Sequence, residues 1–286
     1  MKSFLNISDL DKEQILKIVQ NNIPNRELKG KNIGCLFEKP STRTKLSFFS
    51  AISNLGSSMI DLKLNELNFS RQESLEDTFR AFGCYLDGLV YRTEFHKRLE
   101  LAAEITNKPV INALSEKSHP CQILADLITL FENFKTLDLE ITWFGDLNNV
   151  LYSLVDAVNI IDSLKLNIFS HKKIIDSCDF KFGNRIFLYD KINYSILKNS
   201  HCIMTDVFVS MNDKENDIKI NQLLPFQVNS EVMKQTNECC VFMHCLPAKI
   251  GFEVSKDVIE SNKSIVWKQA YNRLPAQERL LQCINW

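Results

Sequence analysis

Short apolar runs alternate along the chain with longer stretches whose apolar residues recur every three or four positions. Runs at 33–37, 58–62, 88–92 and 109–113 predict strands. The periodic stretches between them predict helices. Ser8 and Asp9 stand where a cap would precede a first apolar face of Leu10, Ile15, Ile18 and Val19. A second face is Leu46, Phe49, Ile52 and Leu55, closed by Gly56. Further helices are expected from Ser74 through Leu86, near 94–106, and from Ser118-His119-Pro120 to about Phe134. The alternation restarts at 139–146, with a helix from about Asn149 to Ile161. Strands then follow at 166–169, 185–189, 202–209 and 239–244. One last helix is expected from Ile265 to Cys283, carrying Trp267, Tyr271, Leu274 and Leu280.

Strands alternating with amphipathic helices imply βαβ units, hence an α/β fold with parallel sheets flanked by helices. At 286 residues the chain has room for two domains. The expected divisions are 1–135, 136–264 and a C-terminal helix within 265–286. Ligands in such sheets bind beyond the carboxyl ends of the strands.

Composition narrows the classes. Hydrophobic content of 45% with 24% charged residues is that of a soluble globular protein, and a net charge of −1 gives no reason to expect nucleic acid or an anionic membrane. No apolar run reaches the roughly 18 residues of a membrane span, and the first residues lack an apolar signal core. Nine scattered cysteines without C-x-x-C pairs fit a reducing cytoplasm better than a disulfide frame.

Five stretches could carry chemistry. In FEKPSTRTKLSF (37–48), a strand ends, Pro40 turns the chain, and Ser41, Thr42, Arg43 and Thr44 open a helix. Free N–H groups, hydroxyls and a guanidinium there suit an anion, most naturally phosphate, although a capped helix with an exposed Arg has the same spacing. HPCQ (119–122) sets an imidazole and an amide at a helix start. His119 and Gln122 could grip a carbonyl and its NH2, or simply cap and decorate the helix. FGDLNNV (144–150) ends a buried strand and lacks a dinucleotide or P-loop spacing. Asp206, within TDVFVSMND, could bind a cationic amine or be a solvated carboxylate. FMHCLPA (242–248) places Cys245 at a strand end. Rival readings there are a metal site with Cys239 and Cys240, disfavoured because neighbours on a strand face opposite ways, and a covalent thiol nucleophile.

Taken in order, STRT, HPCQ, GDLNN, the 206–211 segment, HCLP and AYNRLP (270–275) resemble the aspartate/ornithine carbamoyltransferase family, closest to its ornithine branch, from about residue 9 to 280. The resemblance implies two domains, each a parallel β-sheet flanked by helices, with a C-terminal helix packing back on the first. It implies a carbamoyl phosphate-binding domain followed by an ornithine-binding one. Carbamoyl phosphate would be held by Ser41, Thr42, Arg43, Thr44, Arg92, His119, Gln122, Cys245, Leu246 and Arg273. Asn149, Asp206, Ser210 and Met211 would meet ornithine, with Arg92, His119, Cys245 and Asp206 as the catalytic set. The implied reaction gives L-citrulline and phosphate without a metal or organic cofactor, in a cytoplasmic homotrimer. Other acceptors (acetylornithine, succinylornithine, putrescine), a non-catalytic binding relative, or a regulatory or structural protein are the alternatives. The chain departs from the family at Asn212, usually Gly, at Lys45, often Arg, and at Asn68, where a Gln often contacts phosphate. It is also shorter around 165–190.

Overall fold

A computed structural model describes residues 1–67, 73–209 and 217–286. Asn68, Ser210, Met211 and Asn212 lie outside the described residues. The chain divides into two compact units, 1–128 with 271–286, and 129–270.

The first unit carries α1 (Lys12–Val19), β1 (Asn32–Phe37), α2 (Arg43–Asn54), β2 (Ser58–Leu62), α3 (Leu75–Tyr85), β3 (Gly88–Arg92), α4 (His96–Thr106) and β4 (Val110–Leu114). Its strands form one parallel sheet in the order β2-β1-β3-β4. The order reverses between β1 and β3, so the crevice where a parallel sheet takes its ligand opens beyond those two carboxyl ends. Phe37, the last residue of β1, pairs with Arg92, the last of β3. α5 (Pro120–Phe134) follows, and the division between the units falls within it.

The second unit holds β5 (Leu139–Phe144), α6 (Asn149–Ile160), β6 (Leu164–Phe169), β7 (Ile186–Tyr189), β8 (Cys202–Thr205) and β9 (Val241–His244). These strands form a parallel sheet in the order β7-β6-β5-β8-β9. Here the reversal lies between β5 and β8. Phe144, Phe169, Ile203, Phe208 and Phe242 fill a core on this sheet. Gly145, just past β5, has φ +108°, and a Cβ there would meet the Phe208 ring at 2.8 Å. Only glycine turns the chain so tightly over that ring.

The expected fold class is the observed one, parallel sheets flanked by helices with a C-terminal helix returning to the first unit. Three local expectations are corrected. The first helix is capped by Asp11, not Ser8 or Asp9. Asp11 and Gln14 exchange side-chain bonds with each other's backbone N–H, a reciprocal capping box. Asp9 instead accepts from the Leu5 and Asn6 N–H groups. The last helix is two, Val266–Tyr271 and Arg273–Cys283. Pro275 has no N–H to return to the Tyr271 carbonyl, and its ring crowds it, so the helix breaks at Asn272. The strand expected over 202–209 stops at Thr205, whose hydroxyl donates to the Phe144 carbonyl at 2.7 Å. Asp206 is therefore the first residue beyond the strand.

The helix Arg273–Cys283 packs on α2. Arg279 donates to the Ile18 and Val19 carbonyls at the end of α1, at 3.0 and 3.1 Å. Among the described residues no helix is long and apolar enough to cross a membrane. Leu280 has no exposed surface. Leu280→Ala is expected to lower stability by about 2 to 5 kcal/mol. Denaturant unfolding checks this, and a loss below about 1 kcal/mol would mean that this helix is not part of the core.

Candidate active site

The Ser41–Thr44 turn is built where β1 ends. Pro40 breaks the strand, and Thr42 stands at the N-cap of α2. Its side chain makes no cap bond, and φ −79°, ψ −61° is already helical. The bland alternative of a well-capped helix therefore fails. The first turn of α2 keeps N–H groups that no side chain caps, which leaves the positive end of the helix turned toward whatever anion sits there. Arg43 is half-buried and Thr42 exposed.

Two guanidiniums close on this turn from distant parts of the chain. Arg92, 6% exposed, donates to Ser41 Oγ at 3.1 Å. Arg273, 3% exposed, donates through Nη2 to Thr44 Oγ1 at 3.3 Å and through Nη1 to Gln122 Oε1 at 2.6 Å. Gln122 in turn donates from Nε2 to Asp126 Oδ1 at 2.8 Å. That bond sets the amide orientation, since the nitrogen must face the carboxylate. His119, also buried, precedes α5, and its carbonyl accepts from the Gln122 N–H at 3.1 Å. Burial, then the charges of Arg273 and Arg92, hold its imidazole well below the ordinary value near 6.5. At neutral pH the ring is uncharged and keeps one N–H to donate. Beside it, burial pushes the Cys121 thiol up to about 12, so it stays protonated, donating to the Asn112 carbonyl.

Glu38 was not singled out by the sequence pattern, and it braces the turn. Its N–H donates to the Arg92 carbonyl at 3.0 Å. Its carboxylate accepts from Tyr91 Oη, from Thr93 Oγ1 at 2.7 Å, and from Arg98 at 2.9 and 3.0 Å. Side chains from β3 and α4 thus tie the residue before the turn to the strand that carries Arg92.

The second unit gathers a different chemistry at its own switch point. Asp206, past β8, accepts from Asn148 Nδ2 at 2.8 Å on Oδ2 and from the Cys245 thiol at 2.9 Å on Oδ1. Asn148 also caps α6, accepting from the Val150 and Leu151 N–H groups. Asn149, the residue singled out from sequence, is the first of α6 and half-buried, and its carbonyl accepts from the Ser153 hydroxyl. The signal for Asn148 was there: it is the N-cap before an apolar helix. Asp146, 4% exposed, pairs with Lys219 at 2.7 Å. Leu246, next to Cys245, has φ +56°.

All nine cysteines are free thiols. Cys239 is exposed and Cys240 buried, and burial pushes the latter's thiol up to about 11. The two cannot share a metal. Among the described residues, one group offers three ligand atoms within 4.8 Å of one another: Asp206, His244 and Cys245. Carboxylate, imidazole and thiolate are a set zinc accepts. Both His244 nitrogens are already bonded, however, to the Leu246 N–H and to Glu253. Ligation would have to break one of those bonds.

An α/β protein emerges with guanidiniums, hydroxyls and an uncapped helix start, groups suited to an anion, at the switch point of one sheet, and a carboxylate and a thiol at that of the other. Residues 2–132 match the carbamoyl-P binding domain of the aspartate/ornithine carbamoyltransferases, and residues 137–284 match the Asp/Orn binding domain of the same family. The chain is 38% identical over 300 residues to an ornithine carbamoyltransferase of Methanococcus vannielii, covering 98% of each. It is similar to the solved ornithine carbamoyltransferase of Pyrococcus furiosus, with TM-score 0.86, 33% identity, and 99% and 96% of the two chains covered. For the anabolic ornithine carbamoyltransferase of Campylobacter jejuni the TM-score is 0.87 at 32% identity, with 98% of each chain covered. This chain belongs to the aspartate/ornithine carbamoyltransferase family.

The His119 environment has a consequence for stability. Unfolded, the ring gains a proton below about pH 6.5. Folded, it does so only at lower pH. The unfolded state then binds more protons, so this contribution is complete above about pH 6.5 and is lost as pH falls. Urea unfolding at pH 7 and pH 5 should show a smaller acid loss for His119→Gln than for the wild type. Equal losses would contradict the assigned environment.

Proposed function

We propose that the protein transfers the carbamoyl group of carbamoyl phosphate to the side-chain amine of L-ornithine, giving L-citrulline and phosphate. The observation that carries this reading is the pair of buried guanidiniums, Arg92 and Arg273, bonded to Ser41 and Thr44 at the uncapped start of α2. Hydroxyls, guanidiniums and helix N–H groups can each bind an anion, and together they suit a phosphoryl dianion.

In this reading Ser41, Thr42, Arg43 and Thr44 seat the phosphate, with Arg92 and Arg273 adding charge. Arg92, Thr44 and the neutral His119 donate to the carbonyl oxygen and stabilise the oxyanion formed on attack. One such donor is worth about 3 kcal/mol. Gln122, its amide fixed by Asp126, faces the carbamoyl NH2. Cys245 and Leu246 complete the carbamoyl contacts. The ornithine amine binds toward Asp206 and Cys245, and Asn149, Ser210 and Met211 meet the rest of the amino acid. The amine lone pair attacks the carbonyl carbon, a tetrahedral oxyanion forms, and the bond from that carbon to the bridging phosphate oxygen breaks. Phosphate leaves with that electron pair and takes the amine proton. Atoms and charge balance without a cofactor, so catalysis is positioning and electrostatics.

The amine must be neutral to attack. With a lysine-like value of about 10.4, the neutral form at pH 7 costs roughly 4.6 kcal/mol. Turnover should therefore rise with pH while chemistry limits the rate, and a flat profile from about pH 6 to 9 would contradict the deprotonation step. The cytoplasm, a homotrimeric assembly and a place in arginine biosynthesis belong to the same proposal.

An acceptor panel tests the reading. Purified protein and carbamoyl phosphate are combined in turn with ornithine, acetylornithine, succinylornithine, putrescine and aspartate, and carbamoylated product and phosphate are scored. Citrulline formation with a preference for ornithine is expected, with Arg43→Ala slower by about 100-fold or more. Turnover only with another amine would overturn the acceptor assignment. Binding of carbamoyl phosphate with no turnover would favour a non-catalytic relative.

A further inference from the structure

His244, the last residue of β9, and Glu253 are both wholly buried, with Nε2 and Oε1 3.1 Å apart. The mechanism above uses neither. Their hydrogen bonds assign the proton on the ring. The Leu246 N–H donates to His244 Nδ1 at 2.9 Å, so that nitrogen carries no hydrogen. The ring proton is therefore on Nε2, where it donates to Glu253. Glu253 Oε1 also accepts from the Lys249 N–H, and Oε2 has no partner among the described residues. One carboxyl oxygen thus holds the 245–249 turn at both ends, directly at Lys249 and through the imidazole at Leu246. The main chain of His244 is pinned as well, its N–H donating to the Gln269 side chain at 2.9 Å.

Between those two anchors Leu246 takes φ +56°, a left-handed backbone that non-glycine residues hold only when their surroundings impose it. The residue just before it is Cys245, whose thiol reaches Asp206 at 2.9 Å. Apolar side chains of the same volume in place of a buried polar or ionic pair are often neutral or stabilising, so stability does not explain this pair. What they provide here is a turn with one conformation.

We propose that Glu253 is a positioning residue for the amine-directed pair: through His244 it fixes the 245–249 turn and so keeps the Cys245 thiol against Asp206. The inference rests on reading Cys245 and Asp206 as that pair. Glu253 touches neither substrate. It acts by holding the imidazole in the tautomer that accepts from Leu246.

The test uses the intact protein and four variants, each checked for folding by thermal melting. Glu253→Ala removes the acceptor, whereas the amide oxygen of Glu253→Gln can accept both bonds. His244→Gln loses the Leu246 acceptor, and His244→Asn keeps an acceptor near the Nδ1 position. Three readouts are taken: kcat/KM for ornithine, affinity for inorganic phosphate, and the iodoacetamide alkylation rate of Cys245 followed by peptide mass spectrometry. Glu253→Ala and His244→Gln should lose about tenfold in kcat/KM for ornithine. In both, Cys245 should alkylate several-fold faster, while phosphate affinity, which depends on the first unit, is unchanged. Glu253→Gln should recover most of both losses, and His244→Asn, which keeps the Leu246 acceptor but not the bond to Glu253, should recover part of them.

Folded Glu253→Ala or His244→Gln protein with wild-type ornithine kinetics and wild-type alkylation would overturn the proposal. Equal losses in all four variants, with phosphate affinity falling too, would also overturn it, since that is general loosening. If Glu253→Ala does not fold, the contrast between His244→Gln and His244→Asn decides. Should the wild type fail to carbamoylate ornithine, the functional reading falls, and the alkylation rates still decide the positioning role.

Discussion

Arg273 binds Thr44 and Gln122 with one guanidinium, and much of the first unit is arranged so that it can. The three residues come from the C-terminal helix, the start of α2 and the start of α5. None is near another in sequence. For the contact to exist, the C-terminal helix must return to α2, Pro275 must break the preceding helix so that a new one starts at Arg273, and Asp126 must turn the Gln122 amide. A buried guanidinium is expensive without hydrogen bonds. The hydroxyl and the amide oxygen supply them, while an anion at the uncapped end of α2 would add the charge that both Arg273 and Arg92 are suited to meet.

The second unit solves a different problem with the same architecture. At its switch point the strand ends present Asp206 and Cys245, and Asn148 orients the carboxylate while capping α6. Gly145 is what lets the β5 end pass over Phe208 to reach that position. The two sheets thus place opposite chemistries at equivalent places, guanidiniums and hydroxyls at one, a carboxylate and a thiol at the other. In each, further side chains bond the ones singled out or their neighbours: Glu38 and Asp126 in one, Asn148 and Glu253 in the other.

Most of the architecture was legible because its signals are local. Strand and helix periods, the turn at Pro40 and the stop at Gly56 are written within a few residues of where they act. The family motifs marked most of the residues that gather in each unit, among them Ser41, Arg92, Gln122 and Arg273. The misses have local or relational causes. Asp11 outcompeted Ser8 and Asp9 as a cap because Gln14 could answer it, a relation between two side chains. Pro275 marks a helix breaker, but its effect falls four residues upstream, at the Tyr271 carbonyl, where nothing local signals a stop. Asn148 shows only its capping role in the sequence, since Asp206, which it also reaches, lies 58 positions away. Glu38 and Glu253 could not be found by pattern, since their partners, Arg98 for one and His244 for the other, are set by the fold and leave no mark beside them in the sequence.

The central claim is that the first unit is a preformed seat for a phosphoryl anion. Calorimetric titration of the protein with carbamoyl phosphate, without any amine, tests it most directly, with Arg92→Leu alongside. The account predicts saturable binding by the wild type that weakens as salt rises, and a loss of about tenfold or more in affinity for Arg92→Leu. No binding by the folded wild type, or equal binding by Arg92→Leu, would contradict it.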